Sequence, residues 1–281
     1  MDGQFLIRRM KEDELQIALD WAANEGWNPG LQVRKCFFQA DPKGFFIGLL
    51  DGEPIATGAA VIYDDDFAFC GLYIVKKEFR QQGYGLLLTQ ERLKYVGNRI
   101  TGIDGVLDNV SIYERIGYKT AHKNTRYAGL LPIKQKMHSK IVPLNSLPFD
   151  TIESFDRLYF PGKRTAFLRC WIKQPEALSL AYVENEELKG FGVIQKCING
   201  YKLAPLFAQD SAIAHALFNS LCSSVKEGPI FLDVPEPNTE ARKLAESHGM
   251  TPCFEVMRMY RNGFPKIELQ GIYGITIFEL G

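Results

Sequence analysis

The stretch of sequence best suited to chemistry is a glycine-containing loop that follows the apolar run 67–75. Its residues are Arg80, Gln81, Gln82, Gly83, Tyr84 and Gly85. Glycine lets the backbone approach a ligand closely. The first N–H groups of a helix have no intrahelical partner and attract anions. A strand, a glycine loop and a helix start in this order predict a diphosphate site.

Other interpretations of this loop compete with the diphosphate site. A dinucleotide-binding Gly-x-Gly-x-x-Gly motif would need a small residue where Leu88 stands, and it would follow its strand directly. A Walker loop needs Gly-Lys-Ser/Thr, which the sequence lacks. Taken alone, Gly-x-Gly would favour an ordinary glycine turn at a helix start.

The longer pattern resembles the Arg/Gln-x-x-Gly-x-Gly/Ala signature of the GNAT N-acetyltransferase superfamily, over most of residues 5–130. The resemblance implies that acetyl-CoA (coenzyme A) is bound, with its pyrophosphate on the loop amides. It also implies that the pantetheine arm pairs with the end of the preceding strand. The cofactor-binding positions are then Tyr73, Ile74, Val75, Arg80, Gln81, Gln82, Gly83, Tyr84, Gly85 and Asn109.

A second motif, residues 108–118, resembles the Asn…Tyr-Glu-x-x-Gly-Phe element of the same family. The resemblance implies that Tyr113 is the catalytic residue that protonates the departing thiolate. A phenol with a pKa near 10 has a basicity comparable to that of a thiolate. The alternative is that Tyr113 only packs at the sheet surface.

One feature of the family is missing. Phe69 occupies the strand position where histone-acetylating members carry a glutamate general base. The base could instead be Asp104, Asp108 or Glu25 acting through a water, or a solvent chain could serve an amine of low pKa. The turn 25–30 would overhang the acceptor cleft in this fold.

In that turn, Trp27 could offer an apolar wall or a face for a cationic amine, and Asn28 a hydrogen-bond partner. A helix-ending turn with a half-buried tryptophan is an equal alternative. The weak candidates for substrate contact are therefore Glu25, Trp27, Asn28 and Asp104.

Hydrophobic periodicity and turn residues predict an α/β (α+β) fold with a mixed sheet covered by helices on both faces. The predicted strands are 5–9, 44–50, 53–63, 67–75, 100–107 and 124–130, and the predicted helices are 11–25, 31–39, 86–95 and 110–117. Leu87, Leu88 and Leu93 are expected to form the buried face of the third helix. The order is that of the GNAT-like acyl-CoA N-acyltransferase fold.

The pattern recurs between 178 and 260, which predicts two tandem copies of one fold. Residues 1–130 would form the acetyltransferase domain, 131–142 a linker, and 143–281 a GNAT-like domain. In the second copy, 205–211 takes the place of the cofactor loop without any glycine, and its Asp210 opposes a diphosphate. That copy is predicted to be degenerate.

Composition excludes several function classes. Lys+Arg and Asp+Glu both number 33, which argues against nucleic acid or anionic membrane as partner. No apolar run is long enough to span a bilayer, and the N-terminus lacks the core of a signal peptide. The histidines share no metal-ligand spacing, so no metal is expected. The dispersed cysteines are expected to be buried free thiols in the cytoplasm.

The sequence therefore predicts transfer of an acetyl group from acetyl-CoA to a primary amine, by direct attack in a ternary complex. The acceptor would be a small molecule or a lysine side chain of a protein. Because Phe69 replaces the strand glutamate, the alternative is a non-catalytic acyl-CoA-binding sensor.

Overall fold

The computed structural model describes residues 4–130 and 138–281. The first part of the chain forms β1 (Phe5–Arg9), α1 (Leu15–Asn24), α2 (Val33–Ala40), β2 (Phe45–Leu50), β3 (Glu53–Ile62), β4 (Phe67–Val75), α3 (Tyr84–Val96), β5 (Ile100–Val106), α4 (Val110–Arg115) and β6 (Lys119–Gly129). This is the predicted order, and every element overlaps its predicted range. The largest difference is β6, which begins at Lys119 rather than at 124.

The second part forms β7 (Ile141–Pro143), α5 (Phe149–Asp156), α6 (Thr165–Trp171), β8 (Leu178–Glu184), β9 (Glu187–Lys196), β10 (Tyr201–Ala208), α7 (Ser211–Cys222), β11 (Ile230–Pro235), α8 (Thr239–Ser247), β12 (Thr251–Arg261) and β13 (Ile272–Gly274). The sequence did not predict α5 or α6. Within the described ranges, no helix has both the length and the apolar character needed to cross a membrane.

The predicted linker, residues 131–142, extends too far toward the C-terminus. Ile141 and Val142 belong to β7, where they pair with Tyr182 and Ala181 of β8. A β-branched pair of this kind suits a strand that covers a core edge. The rest of the predicted linker, 131–137, lies outside the described residues.

The strands form one 13-stranded sheet in the order β1-β2-β3-β4-β5-β12-β6-β11-β10-β9-β8-β7, with β13 beside β10. The parallel pair β4–β5 is connected through α3, and the parallel pair β10–β11 through α7. These matching units confirm the tandem arrangement. The two copies also exchange their last strands, since β6 lies between β12 and β11, and β12 lies between β5 and β6.

Buried ion pairs fix the exchanged strands. Arg126 of β6 donates to both carboxylate oxygens of Asp233 in β11, at 2.6 and 2.8 Å. Arg258 of β12 does the same to Asp104 in β5, at 2.7 and 2.6 Å. Bidentate pairs fix orientation as well as distance. The two ion pairs therefore fix the position of one copy relative to the other at the centre of the sheet.

The expectation of free thiols throughout is wrong for two of the cysteines. Cys36 of α2 and Cys170 of α6 form a disulfide, with their Cα atoms 5.2 Å apart. The helices meet because Phe37 stacks on Trp171, with ring centroids 6.4 Å apart. The sequence separation of 134 residues gives no spacing signal for such a pair. The prediction of a reducing compartment relied on free thiols, so this disulfide removes part of the support for it.

Protonation of His122 in β6 is expected to make the free energy of unfolding depend on pH. Burial, followed by the charge of Arg258, lowers its pKa from 6.5 to about 4. Between pH 6.5 and 4 the unfolded chain therefore takes up a proton that the folded chain does not, so stability falls by up to about 3 kcal/mol. Urea unfolding at pH 7 and pH 4 should show a smaller loss for His122→Gln than for the unmodified protein. Equal losses would contradict this assignment.

Candidate functional site

A cleft opens where β4 and β5 part. Their parallel pairing covers only Phe67–Cys70 and Ile100–Ile103. Beyond that point β5 keeps its pairing with β12, but within the described chain no strand pairs with the facing edge of residues 71–75 in β4. A bulge drives the strands apart, because Leu72 and Tyr73 lie opposite the single residue Gly58 of β3. Leu72 has a positive φ of 44°.

The cleft has a volume of about 1230 Å³ and draws its walls from both copies. The first copy contributes the end of β4, the loop before α3, the end of β5 and α4. The second copy contributes residues 252–256 of β12 and residues 278–279. Residues 252–256 reach the cleft because β12 is inserted beside β5, and residues 278–279 belong to the segment that follows β13. The strand exchange thus completes the site.

The loop before α3 presents unpaired main-chain donors. After Arg80, the next N–H group that finds a backbone acceptor among the described residues is that of Leu86, which bonds to the Gly83 carbonyl at 3.1 Å. The N–H groups from Gln81 to Gly85 are left free. Gln81 and Gly83 have positive φ values of 63° and 90°, which bend the chain into the helix. Free amides at a helix N-terminus form an anion site.

Gly85 is needed for close packing. A Cβ atom there would lie 2.1 Å from the Tyr73 hydroxyl oxygen, so only glycine lets this side chain lie against the start of α3. Tyr73, Ile74 and Val75, which the resemblance assigns to the cofactor, line the cleft. The remaining loop positions differ in their roles.

Arg80 holds the loop in place. Its Nε donates to the Val75 carbonyl at 2.8 Å, and its Nη2 donates to Glu25 Oε1 at 2.7 Å. Arg80, Gln81, Gly83 and Gly85 line the cleft, but Gln82 and Tyr84 do not. The Gln82 side chain donates to the Glu78 carbonyl, and the Tyr84 ring packs on Phe5 at 4.7 Å. Those two side chains support the loop, so only their N–H groups are placed to meet a ligand.

The corresponding helix of the second copy, α7, does not begin in this open way. At the corresponding position, α7 is capped by Asp210, whose carboxylate accepts from the Ile213 N–H at 2.9 Å. A side chain that satisfies the first turn of a helix takes the place of an anion. This agrees with the prediction that the second copy is degenerate.

Tyr113 stands beside the gap between the strands. Its ring covers Gly105 of β5, where a Cβ would lie 2.4 Å from the ring. Both Tyr113 and Asn109 line the cleft. Burial raises the pKa of Tyr113, and the charge of Arg92 partly offsets this. The phenol is therefore protonated at neutral pH and can donate its proton.

Sequence reasoning missed Arg92, a buried cation on α3. Its Nε donates to the Ala59 carbonyl at 2.8 Å, and its guanidinium lies 5.2 Å from the centre of the Tyr73 ring. The buried face of α3 is formed by Leu88, Arg92 and Val96, whereas Leu87 is 47% exposed, so its predicted burial is wrong. The spacing of 88, 92 and 96 was a signal that could have identified Arg92.

The residues predicted to contact the acceptor do not all lie in the cleft. Trp27 and Glu25 line the cleft. Asn28 does not, because its side chain bonds to the backbone of Asn199 in the second copy, at 2.9 Å in each direction. Asp104 lines the cleft, but Arg258 and Asn124 occupy its oxygens, which removes it as a candidate base.

The thiols in the cleft are poor nucleophiles. Burial raises the pKa of Cys70 and also that of Cys253 in β12. A thiol reacts through its thiolate, so both are largely unreactive at neutral pH. The chemistry that the cleft supports is therefore anion binding at the α3 start and proton transfer at Tyr113.

Comparison with known proteins agrees with this geometry. Residues 10–118 match the model described as acetyltransferase (GNAT) family, and residues 152–274 match the model described as acetyltransferase (GNAT) domain. The chain is 27% identical over 270 residues to a protein named holothin acyltransferase from Pseudoalteromonas sp. (strain SANK 73390), which covers 96% of this chain and 92% of that protein. An uncharacterized N-acetyltransferase of Bacillus subtilis (strain 168), YitH, is 23% identical, with 85% of each chain covered.

Solved structures share the fold. A putative acetyltransferase from Pyrococcus horikoshii superposes with a TM-score of 0.85 at 21% identity, over 100% of this chain and 97% of that one. A tandem GNAT protein from the clavulanic acid biosynthesis pathway gives 0.64 at 12% identity, over 93% and 99%. Each half of the chain matches a GNAT model, and whole-chain neighbours share the tandem arrangement. The chain is a two-domain member of the GNAT acetyltransferase superfamily.

Proposed function

We propose that this acyltransferase moves an acetyl group from acetyl-CoA to a primary amine by direct attack in a ternary complex. The observation that carries the proposal is the run of free N–H groups from Gln81 to Gly85 at the start of α3. A diphosphate offers acceptors for several such donors at once. Because the chain as a whole is neutral, this local site supplies the attraction that the overall charge does not.

The open edge of β4 suits the pantetheine arm. Residues 71–75 lack a strand partner on the side facing β5, within the described residues. Main-chain donors and acceptors on a strand edge can pair with the amide groups of an extended ligand. We therefore assign Tyr73, Ile74 and Val75 to the arm, with its reactive end toward Gly71.

Three side chains of the protein are assigned roles in the acyl transfer. Tyr113 donates its proton to the sulfur as the C–S bond breaks, because burial keeps the phenol protonated. Arg92, buried beneath the same part of the cleft, favours the negative charge that develops there. Arg80 positions the loop and Val75 through its hydrogen bonds.

The acceptor side of the cleft favours a small molecule over a protein lysine. Trp27, Phe254 and Phe278 give it apolar, flat walls. Such walls suit a compact aromatic or heterocyclic amine. The relative named holothin acyltransferase supports acyl transfer as the reaction.

Tyr113→Phe tests the reaction. The variant should bind acetyl-CoA as the unmodified protein does, but its kcat should fall by roughly 10²–10⁴-fold because the proton donor is gone. Thiol release and calorimetric titration give the two quantities. Tyr95→Phe, which removes a hydroxyl that bonds to Asp41 outside the cleft, is the matched control. Equal turnover of Tyr113→Phe and the control would remove the donor role. Binding without turnover by any amine would favour the acyl-CoA sensor.

A further inference from the structure

A carboxylate without a partner lies in the wall of the cleft. Glu279 is only 3% exposed, and its Oε1 has no hydrogen-bond partner among the described residues. The residue nevertheless lines the cleft. Keeping a carboxylate from water without a partner is strongly unfavourable. A cation that enters with the ligand would remove that penalty.

Glu279 lies at the inner end of the cleft. A Cβ added at Gly71 would stand 1.7 Å from the Glu279 carbonyl oxygen and 3.2 Å from its Cα. Gly71 is the first residue of β4 beyond its pairing with β5. The main chain of Glu279 therefore lies where the strands part, beside the position assigned to the reactive end of the arm, and the residue lines the cleft there.

The same segment covers Phe69, which replaces the family's strand glutamate. A Cβ at Gly281 would lie 2.9 Å from the Phe69 ring. The Tyr63 hydroxyl anchors the segment by donating to the Leu280 carbonyl at 2.8 Å. The strand position that lacks a carboxylate is thus packed against a segment that brings one.

Several charged groups of β6, β10 and β12 already have partners of their own. Arg126 of β6 pairs with Asp233 of β11 and also donates to the Trp27 carbonyl at 2.8 Å. Lys202 of β10 donates to the Asn28 carbonyl, and Glu255 of β12 pairs with Lys123. Arg126 is close enough for the charge of Glu279 to act on it, but Glu279 Oε1 has no hydrogen-bond partner in the described chain.

We propose that Glu279 binds the acceptor as an ammonium ion and takes one proton from it. This role rests on the proposed function. The amine lone pair that the proton leaves behind forms the C–N bond as the C–S bond breaks, and the sulfur takes the proton of Tyr113. The nitrogen then releases its second proton, which restores Tyr113 through solvent. Glu279 passes its proton to water, so each turnover releases one proton.

The test is Glu279→Gln with acetyl-CoA as donor and a pair of aromatic amines as acceptors. Benzylamine is protonated at neutral pH, and aniline is not. Thiol release with benzylamine should fall at least 100-fold in the variant, and with aniline tenfold or less. Acetyl-CoA affinity should change less than twofold. Glu268→Gln, an exposed carboxylate of the same region, should behave as the unmodified protein.

Further readouts do not depend on turnover. Benzylamine binding to protein saturated with coenzyme A should weaken at least tenfold in Glu279→Gln, and the melting temperature should hold or rise because an unpaired charge is gone. A lower melting temperature with full benzylamine turnover would make Glu279 a structural partner of Arg126 and overturn the proposal. If the unmodified protein neither turns over nor binds either amine, the proposed function fails as well.

Discussion

Replacing Gly83 with aspartate is expected to weaken coenzyme A binding about 100-fold or more. Gly83 precedes α3 with φ of 90°, in open space where an added Cβ meets nothing within 4 Å. Aspartate tolerates a positive φ better than most residues and caps a helix well, so the fold should persist. Its charge would repel a diphosphate about 5 Å away by about 3 kcal/mol at an effective dielectric constant of ~20.

Gly97→Asp is the matched control. Gly97 ends the same helix with φ of 64° and does not line the cleft. The same side chain is placed there at a helix C-terminus, where a negative charge is unfavourable. This control should lose at least as much stability as Gly83→Asp and keep its coenzyme A affinity. If calorimetry gave both variants the affinity of the unmodified protein, the loop 80–85 could not be the phosphate site.

Arg126→Met is expected to lower the free energy of unfolding by about 3–5 kcal/mol, because it leaves Asp233 buried without a partner. The side chains of Arg126 and Asp233 are 2% and 1% exposed. Arg126 also lies 4.8 Å from the centre of the Phe278 ring, so its loss should disturb the aromatic wall of the cleft. The double variant Arg126→Met, Asp233→Leu should recover much of the lost stability, because it leaves no unpaired charge buried at this position.

Urea unfolding of the single variants, the double variant and the unmodified protein measures this coupling. Lys123→Met provides the comparison, because Lys123 of β6 pairs with Glu255 of β12, the other neighbour of β6, but is 38% exposed. An exposed pair contributes less than about 1 kcal/mol. Additive losses at Arg126 and Asp233, or a loss no larger than that of Lys123→Met, would mean that the buried pair does not hold the exchanged strands together.

The part of the cleft that the first copy forms could be predicted because its residues are contiguous. Residues 73–113 contain the strand end, the loop, the helix and Tyr113, so short-range pattern and resemblance reach all of them. The roles of the side chains within the loop could not be predicted in this way, because their partners lie elsewhere in the sequence. Tyr84 packs on Phe5, and Arg80 pairs with Glu25 from a helix end far away in sequence.

The acceptor half could not be predicted, because it depends on strand exchange. Phe254 reaches the cleft because β12 inserts between β5 and β6, and Glu279 reaches it on the segment that follows β13 and lies against Gly71. Hydrophobic periodicity locates a strand but does not name its neighbours. The same limit explains the missed disulfide between α2 and α6, and the assignment of Asn28 to a substrate when it binds Asn199 of the other copy.

A crystal structure with coenzyme A bound would test the central claim most directly. We expect diphosphate oxygens within hydrogen-bond distance of the N–H groups between Gln81 and Gly85, and the pantetheine arm along residues 71–75 of β4. A diphosphate bound elsewhere, with those N–H groups making no contact to it, would contradict the account.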